Sequence, residues 1–163
     1  MYSVKPTDRV LAALHAGGVA IDILEFPHST RTAADAAAAI GTTVAQIVKS
    51  LVFLADVQPV LVLASGANRV DATKLARAAG VRSITKASAD VVHDVTGFAI
   101  GGVPPVGHER PLPVYIDRDL LGFEIVFAAA GTPTSVFAIA PVLLQRLTRG
   151  TVVDLREESK GLA

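Results

Sequence analysis

The sequence predicts a mixed α+β domain, and three observations support this. Capped helical patterns are interspersed with β-rich runs, two pairs of these runs are separated by turn signals, and no regular βαβ repeat is present. The chain has 163 residues, of which 51% are hydrophobic and 18% charged. That composition is typical of a compact protein, so we expect one domain over residues 1–163, with 155–163 as a loose tail.

The first third of the chain predicts two helices around a strand. TDRVLAALHAGG is helical, with Thr7 as its cap, and it ends at the Gly17–Gly18 pair. VAIDILEF alternates with period two, which predicts a strand. Thr32 then caps an alanine-rich helix that ends at Gly41, and TTVAQI adds one more helical turn.

The remaining elements follow the same logic. IVKSLVFLA and PVLVLASG, separated by DVQP, predict a hairpin, and GFEIVFAAAG with TSVFAIA predicts a second. Between the hairpins we expect a helix in VDATKLARAAG, with Asp71 near its start and Gly80 after its end, a weaker helix in ASADVVHDVTG and a strand in LPVYID. Pro141 begins the last helix, PVLLQRLTRG, and TVVDL closes as a strand.

Composition excludes several classes of function. The chain has no cysteine, and its four histidines lack metal-ligand spacing, so we expect no metal and no cofactor. Fifteen basic and fifteen acidic side chains balance, which argues against a DNA-binding protein. No apolar run is long enough to span a membrane, and the N-terminus lacks the apolar core of a signal peptide. We therefore expect a cytoplasmic location and no membrane partner.

Charge is nevertheless distributed unevenly. The segment 69–86 carries five basic residues and one acidic residue, Asp71, and the C-terminal DLREESK is acidic. The basic segment is either a phosphate-contacting face or a solvated helix face, and its composition leaves both open.

Lys49 is the first candidate functional residue, because it interrupts an otherwise apolar strand. A lysine there is either a fixed cation for a phosphate or carbonyl oxygen, or a side chain that extends along the strand to water. Its neighbour Ser50 points to the opposite face of a regular strand, which argues against a Ser-Lys dyad.

The segment GGVPPVGH, Gly101 to His108, is the second candidate. Glycines permit close approach of backbone N–H groups to a ligand, and prolines make the loop rigid. It is either a preorganised carbonyl- or phosphate-binding loop or a stiff connection. His108 beside it and His28 after the first strand are either ligand-binding groups or solvated side chains, and no catalytic triad is evident.

Taken in order, these features resemble a known family. The features that carry the resemblance are a histidine after a strand, VKSLVF with its lysine, SGANRVDATKLARAAG, and GGVPPVGH followed by LPVYID. From Thr7 to about Leu155 the chain resembles the YbaK/prolyl-tRNA synthetase-associated editing domains. The strand lysine and the loop from Gly101 to Pro105 are the most specific parts. The resemblance implies a central mixed, partly barrel-like β-sheet flanked by helices.

The resemblance also implies an activity and a set of site residues. Members hydrolyse the ester between a wrong amino acid and the 3′ acceptor end of a tRNA, often proline tRNA, and some act beside an aminoacyl-tRNA synthetase. Lys49 and Gly101 match the catalytic positions. The substrate-binding positions implied are His28, Ser50, Gly102, Val103, Pro105, His108, Gly131 and Val136. The attacking group in this family is water or a group of the substrate, which agrees with the lack of a triad.

One departure from the family concerns the amino acid. Cysteine-clearing members resemble SGGxRGLDI where this chain has AAGTPTSVF, so Ala129 replaces a serine, Val136 an aspartate, and Pro133 a basic residue. An apolar wall favours alanine or 2-aminobutyrate over cysteine, with larger correct amino acids excluded by size. The alternative function is a noncatalytic module that binds tRNA ends or a synthetase, and a third is hydrolysis of another small ester. The oligomeric state stays open.

Overall fold

The computed structural model describes residues 4–158. Its α-helices are α1 (Pro6–Ala16), α2 (Ala33–Ile40), α3 (Ala72–Ala79), α4 (Ala89–Thr96) and α5 (Pro141–Thr148). Its strands are β1 (Leu24–Glu25), β2 (Ile47–Ala55), β3 (Gln58–Ser65), β4 (Ile84–Lys86), β5 (Val114–Asp117), β6 (Val126–Ala129), β7 (Ser135–Ile139) and β8 (Thr151–Val153). Short 3₁₀ turns occupy Val44–Gln46 and Arg118–Gly122.

All eight strands belong to one mixed sheet. The order is β1-β7-β6-β2-β3-β5-β8, and β4 pairs with β2 outside this path. The β2–β3 and β6–β7 pairs are antiparallel hairpins, whereas β2–β6, β3–β5 and β5–β8 are parallel. The predicted class, a mixed sheet flanked by helices, is confirmed, and so are both predicted hairpins.

The central strands β2 and β3 are mostly apolar because both faces of the sheet are covered. Alternate residues of β2 and β3, such as Val52 and Leu61, join the main core with side chains from α1, α4 and α5. The intervening residues, such as Phe53 and Val62, pack with Leu75 of α3 in a second core. This double covering fixes the orientation of every side chain along β2.

Helix boundaries follow the predicted caps with one exception. The Thr32 side chain accepts a hydrogen bond from the Asp35 amide at 3.0 Å, and the Asp71 carboxylate caps α3 in the same way. The Thr7 cap is wrong, because α1 begins at Pro6 with Lys5 as its N-cap. The fixed φ of proline suits the first helical position, so the helix starts two residues earlier than predicted.

The strand predicted in VAIDILEF is wrong over most of its length. Only Leu24 and Glu25 pair with a neighbour, β7, while Ile21 and Ile23 pack on the main core without a ladder. The sequence prediction also missed β4 and the turn at Arg118–Gly122.

The beginning of the expected loose tail is packed rather than loose. Leu155 is 1% exposed within the second core, and Arg156 forms a β-bridge with Val70. The rest of that predicted tail, 159–163, lies outside the described residues. Within residues 4–158, no helix is both long and apolar enough to cross a membrane.

Candidate functional site

The site lies where the sheet splits beside β2. On the side opposite β3, β2 pairs with β6 only up to Val48 and with β4 only from Phe53 onward. The intervening residues 49–52 therefore have no strand neighbour in register on that side. Val52 and Ser50 direct their backbone groups to this side, because the Ala87 amide donates to the Val52 carbonyl and directions alternate along a strand. The split leaves the backbone of Ser50 facing an opening.

A cavity of about 470 Å³ fills this opening. A pocket of this size is large enough for a small ligand group. Its lining comes from five parts of the chain, namely Thr30–Ala33 with Ala36, residues 47–53 of β2, Lys86–Ala87 with Val92, the loop residues Ile100, Gly101 and Val103, and the hairpin residues Phe127, Ala128, Ala129 and Val136. Most of these side chains are apolar, and the cationic ones are Arg31, Lys49 and Lys86.

Lys49 is half-buried, and its ammonium group makes a single protein hydrogen bond. Its Nζ donates to the backbone carbonyl of Asn68, and within residues 4–158 it has no other hydrogen-bond partner. An ammonium has three N–H donors, so two are left for a ligand. Burial lowers the pKa of Lys49 below its ordinary value, and the Asp117 carboxylate acts in the opposite direction.

Ser50 also lines the cavity. Its Oγ is buried and has no hydrogen-bond partner among the described residues, and no bond joins it to Lys49. A buried hydroxyl without a partner costs free energy unless a ligand or water satisfies it. Ser50 is therefore suited to contact a bound molecule, while a Ser-Lys dyad is not formed.

The glycine-proline loop reaches the cavity through Gly101 and Val103. Gly101 has φ +92°, and a Cβ built there would lie 2.6 Å from Cγ of Arg31. Neither Gly101 nor Val103 donates its backbone N–H to another residue within 4–158, whereas Gly102 N–H donates to the Ala99 carbonyl. Two residues of the loop that line the cavity thus have backbone N–H groups without a protein acceptor among the described residues, a property expected of a carbonyl-binding segment.

Four predicted substrate-binding residues lie away from the cavity lining. Gly102 packs against the backbone of Thr132, and Gly131, at φ +105°, against the backbone of Pro6. Pro105 is buried within the loop, and His28 is exposed on the segment that leads to α2. Gly102 thus permits close contact of the loop with the β6–β7 turn, and Gly131 permits close contact of that turn with the start of α1.

His108 also lies outside the cavity. Its Nε2 donates to the Pro104 carbonyl at 2.7 Å, and its ring contacts Phe98 edge-on. Burial lowers the pKa of His108, and the bond to Pro104 works against that shift. These two contacts connect His108 to the glycine-proline loop and to Phe98, outside the cavity.

Sequence reasoning missed Thr30, Arg31 and Lys86 as lining residues. Thr30 fixes this part of the wall, because its N–H and Oγ1 both donate to the Pro133 carbonyl, at 2.6 and 3.1 Å. Arg31 precedes a recognisable helix cap and Lys86 closes the basic segment, but neither signal indicates a cavity. The basic segment itself divides: Lys86 reaches the cavity, whereas Lys74 pairs with Asp154 and Glu158, and Arg69 pairs with Glu157.

The hairpin wall of the cavity is apolar. Ala129 and Val136 are register partners in the β6–β7 hairpin, and both line the cavity with Phe127 and Ala128. Among residues 4–158, no three histidine or acidic side chains are grouped so that they could hold a metal ion. The arrangement therefore combines cationic and amide donors with a small apolar compartment.

The residues that form this site lie within a segment that matches a known protein family. Residues 28–147 match the model of the aminoacyl-tRNA editing domain. The chain belongs to the aminoacyl-tRNA editing domain family. The resemblance found in the sequence is confirmed, and the matched range includes all the lining residues described above.

One solved structure and two curated sequences are among the proteins similar to this chain. A solved structure of a candidate trans-editing enzyme for prolyl-tRNA synthetase is 47% identical, with a TM-score of 0.89, over 96% of this chain and 100% of that one. The uncharacterised protein YwhH of Bacillus subtilis is 35% identical over 74% of this chain and 76% of its own length. A candidate Cys-tRNA(Pro)/Cys-tRNA(Cys) deacylase, EbsC of Enterococcus faecalis, is 25% identical over 76% of each chain.

Proposed function

We propose that this editing domain is a trans-editing aminoacyl-tRNA deacylase, which hydrolyses the ester of a tRNA charged with a wrong, small amino acid. The observation that carries the proposal is that Lys49 and Gly101 line one cavity, which the split in the sheet opens. Two free ammonium donors and two free loop amides there match the needs of an ester whose carbonyl oxygen becomes negative.

The donors divide naturally between the parts of the substrate. The N–H groups of Gly101 and Val103 bind the ester carbonyl oxygen, and Lys49 holds the terminal nucleotide or the backbone of the amino acid. Arg31 is exposed beside Gly101, and Lys86 is exposed on the cavity wall formed by β4. Both are placed to contact phosphates of the acceptor end, since guanidinium and ammonium groups are the usual phosphate partners.

Hydrolysis needs no nucleophile from the protein. A water molecule, oriented by a hydroxyl of the terminal ribose, adds its oxygen to the ester carbonyl carbon. The tetrahedral oxyanion is stabilised by the loop amides, each of which is worth about 3 kcal/mol of barrier reduction. The bond from carbon to the ribose oxygen then breaks, the proton from water passes to that oxygen, and a free amino acid and an uncharged tRNA result.

The apolar wall selects the amino acid. Val136 and Ala129 offer no polar partner, so the compartment suits the side chain of alanine or 2-aminobutyrate better than that of cysteine. In an apolar pocket each methylene changes the binding free energy by only about 1–3 kcal/mol, so affinity alone discriminates weakly. Larger or cyclic amino acids are therefore excluded because they do not fit. Proline tRNA is the expected carrier, and an aminoacyl-tRNA synthetase is a candidate partner, as the name of the 47% identical structure implies for that protein.

A deacylation panel tests the proposal. The purified protein is incubated with proline, alanine and valine tRNAs that carry alanine, cysteine, serine, threonine or 2-aminobutyrate, and the ester is followed with time against a protein-free blank. We expect hydrolysis of alanine and 2-aminobutyrate esters on proline tRNA. If a folded protein that binds these tRNAs hydrolyses none of them, the noncatalytic binding module replaces the deacylase.

A further inference from the structure

We propose that Asn68 and the buried Asp117 are positioning residues for Lys49, and that they fix both the direction and the charge of its ammonium group at the cavity. The proposal deepens the proposed function and rests on it for its effect on hydrolysis. Neither residue belongs to the lining of the cavity.

Asn68 is held at two points. Its backbone carbonyl accepts the hydrogen bond from Lys49 Nζ. Its side-chain Nδ2 donates to Oδ2 of Asp117 at 2.9 Å and to Oδ2 of Asp119 at 2.8 Å. The side-chain amide bridges two carboxylates through charge-assisted hydrogen bonds, and the backbone N–H of Asn68 donates to the Ser65 carbonyl at 3.0 Å, so both parts of the residue are held. Lys49 therefore donates to a carbonyl whose direction is fixed.

Asp117 anchors this arrangement from inside the protein. It is 1% exposed, and its oxygens accept from Ser65 N–H and Asp119 N–H, both at 3.0 Å, besides Asn68. All three donors are neutral, and within residues 4–158 no basic side chain forms an ion pair with Asp117. Its negative charge is thus compensated at longer range.

Lys49 is the cation on which that charge acts. Burial beside the cavity disfavours the ammonium form of Lys49, and the Asp117 carboxylate raises the pKa of Lys49 against this effect. Asp117 thus favours the charged form of Lys49 against the effect of burial, while Asn68 accepts from one N–H and leaves the other two for substrate. Displacement of a reacting or binding group by about 1 Å can reduce an enzymatic rate a hundredfold.

The two carboxylates differ in a way that supplies a control. Asp119 pairs with the exposed Arg156 at 3.5 Å, whereas Asp117 forms no ion pair among the described residues. Replacement of Arg156 by glutamine changes the charge near Asn68 but leaves the hydrogen bonds from Asn68 Nδ2 to Asp117 and Asp119 in place. Arg156→Gln is therefore the matched control for Asn68→Ala and Asp117→Asn.

The test follows the titration of Lys49 directly, because activity alone would also fall if Asp117 were merely structural. The protein has five lysines, so ¹³Cε-lysine labelling gives few NMR signals, and Lys49→Arg assigns the one that disappears. Chemical shifts are recorded from about pH 7 to 11, the range in which lysines titrate. The kcat/KM for hydrolysis of proline tRNA charged with alanine is measured on the same samples.

We expect the Lys49 midpoint to move to lower pH in Asn68→Ala and Asp117→Asn, and to stay in place in Arg156→Gln. The value of kcat/KM should fall about tenfold to a hundredfold in the first two variants and change less than about twofold in the control. Asn68 is on a partly exposed loop, so Asn68→Ala leaves the core intact and decides the question if Asp117→Asn does not fold.

The failures are distinguishable. An unchanged Lys49 midpoint together with unchanged kcat/KM in folded Asn68→Ala would overturn the positioning role. If the wild-type protein hydrolyses no ester, the deacylase proposal fails. In that case the titration, which needs no substrate, still decides whether Asn68 and Asp117 hold the ammonium.

Discussion

Ala129 and Val136 lie opposite each other in the β6–β7 hairpin and together form an apolar wall of the cavity that Lys49 also lines. At these two positions the sequence pattern of cysteine-clearing members of the family has a serine and an aspartate. The register therefore places both departures from that pattern side by side, on the surface that a bound amino-acid side chain would meet.

Val136→Asp should shift the preference of the enzyme toward cysteine. A carboxylate at this wall gives a thiol a polar partner and disfavours the methyl group of alanine, so the ratio of kcat/KM for cysteinyl- to alanyl-tRNA should rise about tenfold. Val136 is 3% exposed, so we expect a loss of about 1–3 kcal/mol in the free energy of unfolding.

Val136→Ala is the matched control for this substitution. It enlarges the compartment without adding charge, so it should admit larger side chains and leave the ratio of cysteine to alanine nearly unchanged. Equal ratios in wild type and Val136→Asp would show that this wall does not select the substrate.

Gly101→Val should lose most of the deacylation activity, because Gly101 lines the cavity. A side chain at Gly101 meets a positive φ and the Arg31 side chain, and it crowds the amides that we propose bind the carbonyl. Gly80 ends α3 with φ +69° and has open space around it, so Gly80→Val carries a similar strain of about 1–2 kcal/mol far from the cavity.

The comparison uses melting curves and deacylation rates for both variants. Similar losses in stability, with a rate loss of at least about a hundredfold in Gly101→Val alone, are the expected result. Full activity of Gly101→Val would mean that the loop is only a connection.

Protonation of His108 should destabilise the protein below about pH 6.5. Burial lowers its pKa in the folded state, so the unfolded chain takes up a proton at higher pH than the folded protein does. Unfolding therefore becomes easier as the pH falls through the unfolded value, until the pH is below the folded pKa. The contribution is at most about 1.4 kcal/mol per pH unit.

Urea unfolding at several pH values measures this effect. His108→Gln retains a donor for the Pro104 carbonyl but does not titrate, so its stability should fall less steeply toward acid than that of the wild type. Identical slopes for wild type and His108→Gln would contradict the prediction.

Most of the fold was predictable because local signals and the final structure agree. Thr32, Asp71 and the glycines after the helices set the helix ends, and the two hairpins follow from apolar runs joined by short turns. The strand in VAIDILEF was wrong because alternation reports a buried face, and Ile21 and Ile23 bury that face without a partner strand.

The site was only partly predictable because its decisive feature is non-local. Lys49 and Gly101 stand out by residue type, in an apolar strand and a glycine-proline loop. The cavity depends instead on where β6 stops and β4 begins along β2, which requires the register of three strands. For the same reason the sequence gives no sign that Arg31 and Lys86 line it, or that Gly102 and Gly131 serve close backbone contacts elsewhere.

The most direct test of the account compares Lys49→Ala with Lys5→Ala under single-turnover conditions on alanyl-proline tRNA. Both variants remove one positive charge, but Lys5 is exposed at the start of α1, while Lys49 lies at the cavity. We predict that Lys49→Ala folds normally and loses at least about a hundredfold in rate, whereas Lys5→Ala stays within about twofold of wild type. Wild-type rates in a folded Lys49→Ala protein would contradict the claim that this cavity is where the ester is hydrolysed.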